Sequence, residues 1–231
     1  MICQNANLRD QFEQDGRIWF RNAISEQDLA DFDAAVDLEA KAGQRVDTSP
    51  ALTRALAPGQ SLRAAIGQID PQAKPVRIVG FNKSSQSNWA VPWHQDRAIA
   101  VADKAEVYGF RNWTKKSGTW HCEPPTALLD DMLFVRVHLD DSDDTNGAMR
   151  IAVGSHAKGI VPADRAATEA RNFPNETCSA KRGDVLVLKM LTLHASSPAA
   201  TESTRRVLRI DFTSSELPSP LRWLPFDSGV H

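Results

Sequence analysis

The chain has 231 residues, 42% of them hydrophobic and 24% charged, which are the proportions of an ordinary folded domain rather than a disordered chain. Its 27 lysines and arginines nearly balance 29 aspartates and glutamates, so no single-sign field points to nucleic acid or an anionic membrane, and a small molecule is the expected partner. Three scattered cysteines, Cys3, Cys122 and Cys178, exclude a disulfide framework and read as reduced thiols of a cytoplasmic protein.

The opening "MICQNANLRDQFEQDG" alternates polar and charged residues and lacks the basic start and apolar middle of a signal peptide. "GRIWF", residues 16–20, suits an edge strand. "SEQDLADFDAAVDLEAKAG" then reads as a helix, with Ser25 as N-cap, Asp28 three residues on and Gly43 as the stop; Leu29, Phe32, Val36 and, less regularly, Leu38 and Ala40 give it one apolar face. A second helical stretch, "SPALTRALAPGQSLRAAIGQI", is broken in two at Pro58. Residues 1–74 are therefore expected to form a mostly helical buttress.

From about residue 75 the period shortens. "VRIVGFN" (76–82), "AVPWHQD" (90–96), "MLFVRVHLD" (132–140), "AMRIAVG" (148–154), "DVLVLKM" (184–190) and "RRVLRIDFT" (205–213) are short, rich in β-branched residues and bounded by turn residues, the pattern of an antiparallel β core. "DDSDDTNG" and "KRGD" are turn chemistry; the former lacks the spacing and terminal glutamate of a calcium loop. A Trp/Gly/Pro-rich insertion at about 108–125 is the expected lid, and "PADRAATEARN" (162–172) a helical excursion. The apolar "DVLVLKMLTLHA" is interrupted by Lys189 and falls far short of the roughly 20 residues that cross a bilayer. The expected architecture is one domain over residues 1–231, mainly β, with helices packed on a barrel or sandwich formed by residues 75–213.

Within "VPWHQD", His94 and Asp96 are two positions apart, so in a strand they share a face and can converge on one point. By itself such a pair is as consistent with a polar strand end. His194, closing the "VLVLKMLTLH" pattern, could face the pair across a barrel. Two histidines and a carboxylate on one face of an octahedral ion leave three positions open, as in non-haem Fe(II) oxygenases. Arg205 stands eleven positions beyond His194, where a guanidinium can meet a dicarboxylate with two parallel hydrogen bonds; a one-residue shift hands that role to Arg206. Arg209, on the face of Arg205, and Arg97, directly after the metal pair, are candidates for an anionic group of the substrate, and His121 in the lid for contact with it. His138 is expected to serve structure or electrostatics, His156 to fix a turn, and His231 lies at the terminus.

Together the motifs resemble the phytanoyl-CoA dioxygenase family of Fe(II)/2-oxoglutarate oxygenases, with an H-x-D (His94, Asp96), a distal histidine (His194) and an arginine eleven residues on (Arg205). "WHQD", "NGAMRIAVGSHAKG" and "RGDVLVL" support it, and the similarity covers roughly residues 76–213. Val153 and Ala199 depart from the proline and asparagine frequent in the family, and the helical N-terminal part is short for it. The resemblance implies a double-stranded β-helix (jelly-roll, cupin-like) barrel. It implies Fe(II) held by His94, Asp96 and His194, with 2-oxoglutarate and O2 as cosubstrates. Arg205 would take the far carboxylate, Ser196 would hydrogen-bond the cosubstrate and Trp113 would border it; Gln95, between the ligands, has a lesser cosubstrate role. The implied reaction hydroxylates an unactivated C–H bond of a small molecule and releases succinate and CO2, the retained Asp96 arguing against halogenation. The alternatives are a non-catalytic cupin-like ligand-binding module and a zinc-dependent hydrolase, although no H-E-x-x-H helix is present. Substrate identity and oligomeric state are left open.

Overall fold

The computed structural model describes residues 2–36, 43–84, 87–201 and 204–224, without the side chains of residues 2–6. In chain order the elements are α1 (Ile2–Asp15), β1 (Arg17–Phe20), α2 (Glu26–Ala35), β2 (Gln44–Arg45), α3 (Pro50–Ala55), α4 (Ser61–Ile66), β3 (Lys74–Lys83), β4 (Val91–His94), β5 (Ile99–Val101), β6 (Arg111–Lys116) and β7 (Thr119–Glu123). They continue with α5 (Thr126–Asp130), β8 (Leu133–His138), β9 (Met149–Ala152), α6 (Ala166–Ala170), β10 (Asn175–Thr177), β11 (Val185–Lys189), β12 (His194–Ser196) and β13 (Arg205–Thr213).

Two antiparallel sheets form the frame: a six-stranded one in the order β1-β11-β8-β13-β3-β2 and a four-stranded one in the order β10-β9-β12-β4. This is the jelly-roll arrangement, with helices on the outer face of the larger sheet. The period of two along each strand sorts the side chains of that sheet. Leu133, Val135, Val137, Val185, Val187, Leu208, Ile210 and Phe212 face outward and share a core with Phe12, Phe32, Leu52, Leu62 and Ile66 of the helices. The opposite parity, which includes Phe134, Leu186 and Leu188, faces inward and packs with Met149 and Ile151 of the smaller sheet. On β13 and its neighbours the inward parity is charged. Arg205 is the cross-strand partner of Lys83, Arg209 of Val79 and Arg136, and Asp211 of Arg77. The inner face of the sheet is thus both the wall of a core and a row of cations.

The helical buttress follows its sequence signals, with differences. Ser25 Oγ accepts from the Asp28 amide at 3.1 Å, and Ser49 Oγ accepts from Leu52 at 3.2 Å ahead of Pro50 at the first turn. Helix α2 stops at Ala35; Leu38 and Ala40 lie outside the described residues, and Gly43 opens the approach to β2 with φ +74°. Helix α1 had no separate counterpart in the sequence reading, because its polar sequence shows no apolar stripe; among its described side chains Phe12 is fully buried and Leu8 partly so. The expected helix at 162–172 shrinks to Ala166–Ala170. Strand β13 keeps its expected bounds, while β4 is shorter and ends at His94.

The insertion forms its own antiparallel sheet, β5-β7-β6. Ser117 and Gly118, both with positive φ (45° and 80°), make the two-residue turn between β6 and β7. Cys122 and Cys178 are buried free thiols. Among the described residues no helix is long and apolar enough to cross a membrane.

Candidate metal centre

The strand reading that ended at His194 is corrected by a corner. Strand β11 of the larger sheet stops at Lys189, the chain turns with the Thr192 amide donating to Lys189 O at 3.1 Å, and β12 of the smaller sheet begins at His194. Thr192 Oγ1 donates to Gly16 O at 3.3 Å and the Leu193 amide donates to Ser155 Oγ at 2.9 Å, which fix the corner. His194 therefore does not look across a barrel at His94. The two are direct partners on adjacent strands β12 and β4, with ring centroids 4.2 Å apart.

Asp96 lies just beyond the end of β4, yet its carboxylate turns back between the rings. Oδ2 is 3.2 Å from His194 Nε2, and Oδ1 is 3.8 Å from His94 Nε2. One ligand atom from each of the three residues lies within 4.8 Å of the others. Each imidazole is oriented by the carbonyl two residues back: His94 Nδ1 is 2.9 Å from Pro92 O and His194 Nδ1 is 2.9 Å from Thr192 O. A proton on Nδ1 donated there leaves the Nε2 lone pair of both rings facing the carboxylate, the tautomer a metal requires. Burial, then the neighbouring His194 ring, pushes His94 below the ordinary imidazole range and so keeps it neutral. Burial alone would raise the Asp96 carboxyl, but the charge of the Arg209 guanidinium holds it well below the usual carboxylate range. Two imidazoles and one ionised carboxylate, with no thiolate, are a donor set that fits Fe(II).

A cavity of about 260 Å³ opens from the three residues. His94, Asp96, His194, Ser196, Arg205 and Arg209 all line it, with Phe81, Phe134 and Met149 as apolar wall. Arg205 is buried, and its Nε donates to Asn146 O at 3.2 Å. Gly147, next in the chain, has φ +73°, and a Cβ there would lie 2.7 Å from Ser197 O and 2.9 Å from Lys83 Nζ, so the Asn-Gly turn needs this glycine to close over Arg205. Strand parity sends the two neighbouring arginines to opposite faces, Arg205 into the cavity lining. Arg206 turns outward and donates to Asp140 at 2.7 Å and Asp33 at 2.9 Å.

Other expected site residues go elsewhere. Gln95 is not free for a cosubstrate: its amide donates to Gly159 O and Leu191 O at 2.8 and 2.7 Å and its oxygen accepts from the Val161 amide. Arg209 lines the cavity, but its guanidinium is engaged there, donating to Asp96 and, at 2.7 Å, to Asp211. Both carboxylates raise its pKa against the effect of burial. Trp113 packs edge-on against Trp120, centroids 6.4 Å apart, outside the cavity lining. Arg97 is turned towards Glu123 at 3.9 Å. His121 lines a second cavity of about 220 Å³ with Arg45 and Lys116, and Gly43, Arg77 and Val79 are common to both cavities. Three inward cations escaped the sequence reading: Arg77 and Arg136 in the cavity wall, and Lys83, fully buried, which donates to Ser197 O at 2.6 Å. Their signal was the alternation in "FVRVH" and "VRIVGFNK", legible once the outward parity is fixed.

A jelly roll carrying two histidines and an aspartate that could hold one metal ion, beside a cationic cavity, is the arrangement of a non-haem metal oxygenase. The profile of the family Phytanoyl-CoA dioxygenase (PhyH) matches residues 12–207, and the chain belongs to that family. It is an enzyme of the Fe(II)/2-oxoglutarate-dependent oxygenase superfamily, with iron and 2-oxoglutarate as its cofactors. Similar solved structures share the fold. AviO1 from Streptomyces viridochromogenes is 20% identical with TM-score 0.62, over 93% of this chain and 96% of that one. SnoN, an alpha-ketoglutarate-dependent epimerase of nogalamycin biosynthesis, is 15% identical with TM-score 0.66, over 100% and 88%. HygX from Streptomyces hygroscopicus, solved with nickel and 2-oxoglutarate, is 17% identical with TM-score 0.59, over 94% and 89%. Among curated proteins none matches the sequence.

Proposed function

We propose that the chain is a hydroxylase that inserts oxygen into an unactivated C–H bond of a small molecule, with 2-oxoglutarate and O2 consumed and succinate and CO2 released. The observation that carries this reading is the Asp96 carboxylate held between the Nε2 atoms of His94 and His194. A third protein ligand fills the position that a halide takes in the related halogenases, so hydroxyl transfer is favoured over halogenation.

When bound, Fe(II) with 2-oxoglutarate supplies the activation of O2 that breaks the substrate C–H bond. His94 and His194 would hold the metal through their Nε2 atoms, and Asp96 through its carboxylate. Arg209 keeps Asp96 ionised and fixes its orientation from behind. Arg205, lining the same cavity with its Nη1 free of any partner, pairs with the distal carboxylate of 2-oxoglutarate, and the Ser196 hydroxyl stands on the same wall. Phe81, Phe134 and Met149 keep water from the cavity and so strengthen these charge contacts. The second cavity, which shares Gly43, Arg77 and Val79 with the first and carries His121, is the approach this reading assigns to the substrate.

The test begins anaerobically. Fe(II) and 2-oxoglutarate should give a visible absorption band, and air should then yield succinate. With a substrate found by screening a metabolite panel, each succinate should accompany one product heavier by a single oxygen atom. A product of unchanged mass, as from epimerisation, or one that has lost two hydrogens, sinks the hydroxylase reading while leaving the oxygenase intact. Hydrolysis supported by zinc alone would replace both.

A further inference from the structure

We infer that Arg136 is a second anchor for the distal carboxylate of 2-oxoglutarate, acting beside Arg205. This rests on the reading of the cavity as the 2-oxoglutarate site and adds a residue to it. Arg136 lies on β8, the strand hydrogen-bonded to β13, with its side chain on the inward face and in the lining of the cavity that also exposes Arg205. It is 6% exposed, makes no hydrogen bond and no ion pair among the described residues, and its Nε is buried without a partner. Arg205 is 4% exposed, and its Nη1 is likewise unpartnered.

A guanidinium stripped of water and left without an anion is unfavourable, and a second one beside it makes matters worse. Burial, and next the repulsion of Arg205, push Arg136 down to about 9. The carboxylates of the inner face cannot relieve it. Asp96 is committed to the histidines and Arg209, and Asp211 is taken by Arg209 at 2.7 Å with Arg77 at 3.6 Å. Lys83, pushed down to about 8 by burial and then by Arg205 and Arg136, adds a third positive charge behind them. The missing negative charge must come from what the cavity binds. One carboxylate has two oxygens and roughly four acceptor sites, enough for two guanidiniums at once, whereas pairing with Arg205 alone leaves Arg136 buried and unmatched.

Calorimetric titration of the Fe(II)-loaded protein under anaerobic conditions tests this, with 2-oxoglutarate compared against 2-oxopentanoate, the same carbon chain ending in a methyl group. Arg136→Met should raise the dissociation constant for 2-oxoglutarate roughly tenfold or more, the size of a lost charge-assisted contact, and leave that for 2-oxopentanoate unchanged. Arg136→Lys, which keeps the charge but not the fork, should fall between wild type and Arg136→Met, and it carries the test if the methionine variant fails to fold. An unchanged 2-oxoglutarate constant, or equal weakening of both ligands, overturns the role of Arg136. A wild-type protein that does not bind 2-oxoglutarate, or an Arg205→Met variant that binds it normally, is a different result and overturns the reading of the cavity itself.

Discussion

Arg209 donates through Nη1 to Asp96 and through Nε to Asp211, so one buried guanidinium ties the Asp96 carboxylate to β13, the strand that also carries Arg205. The Phe134 ring, 4.1 Å below its Cζ, closes the remaining face. Arg209→Met leaves the buried Asp211 with Arg77 alone, at 3.6 Å, and takes the guanidinium from the partly exposed Asp96; loss of one partner from a buried pair typically costs about 3–5 kcal/mol. The variant should unfold at markedly lower urea concentration, and what remains folded should bind iron roughly 10–100-fold more weakly, the scale of a lost outer contact to a ligand. Denaturation curves with and without iron separate the two effects.

Asp96→Ala is the milder change for the fold, because Arg209 keeps Asp211. Succinate formation should disappear and iron occupancy collapse, while the circular dichroism of the metal-free protein stays that of wild type. Turnover at native iron content would mean that the ligand set is misassigned.

Arg205 and Arg206 are neighbours in sequence and opposites in environment. Arg205→Ala should raise the KM for 2-oxoglutarate by at least about tenfold, since a charge-assisted pair in a shielded cavity is lost. Arg206→Ala breaks pairs with Asp140 and Asp33 on the partly exposed outer side. Such pairs contribute at most about 1 kcal/mol each, and this change should leave the KM alone. Steady-state kinetics on the two variants decides it.

Much of this site was legible because strand parity is legible. The bounds of β13 and the outward Leu208, Ile210 and Phe212 follow from the alternation in "RRVLRIDFT", and that alternation already puts Arg205 and Arg209 together inside. It does not reveal what they meet. Arg209 was expected to face substrate, and only tertiary structure shows Asp96 turning back past the end of β4 to claim it. The corner before His194 was hidden because "VLVLKMLTLH" is mostly apolar and, Lys189 apart, buried on both sides of the turn, so the change of sheet leaves no clear break in periodicity. Gln95 looked like a site residue by position, but its amide satisfies two carbonyls and one amide of the surrounding loops.

The Asn-Gly turn offers a test of how tightly the fold supports Arg205. At Gly147 an alanine meets both an unfavourable φ of +73° and the Ser197 carbonyl at 2.7 Å, so the turn must shift and carry Asn146 O away from Arg205 Nε. Gly147→Ala should therefore destabilise by roughly 1–3 kcal/mol and also weaken 2-oxoglutarate binding, although residue 147 touches no ligand. Normal 2-oxoglutarate affinity in a destabilised variant would show that Arg205 does not depend on that carbonyl.

His138 makes the pH dependence of stability a test of the buried cations. Its ring is enclosed beside Trp19, centroids 5.9 Å apart, and neither nitrogen has a partner. Burial, and next the charge of Arg136, lower it well below its ordinary 6.5. The unfolded chain therefore takes up a proton near pH 6.5 that the folded chain refuses. Stability from this group is complete above that pH and declines as pH falls below it, with a slope approaching about 1.4 kcal/mol per pH unit. His94, His121 and His156 are lowered in the same direction and share the effect. His138→Phe fills the space with an apolar ring, so urea unfolding of the metal-free protein at pH 7.5 and pH 5.5 should show a smaller loss on acidification than wild type. An equal loss in the two proteins would mean that His138 is already charged in the fold, in spite of Arg136.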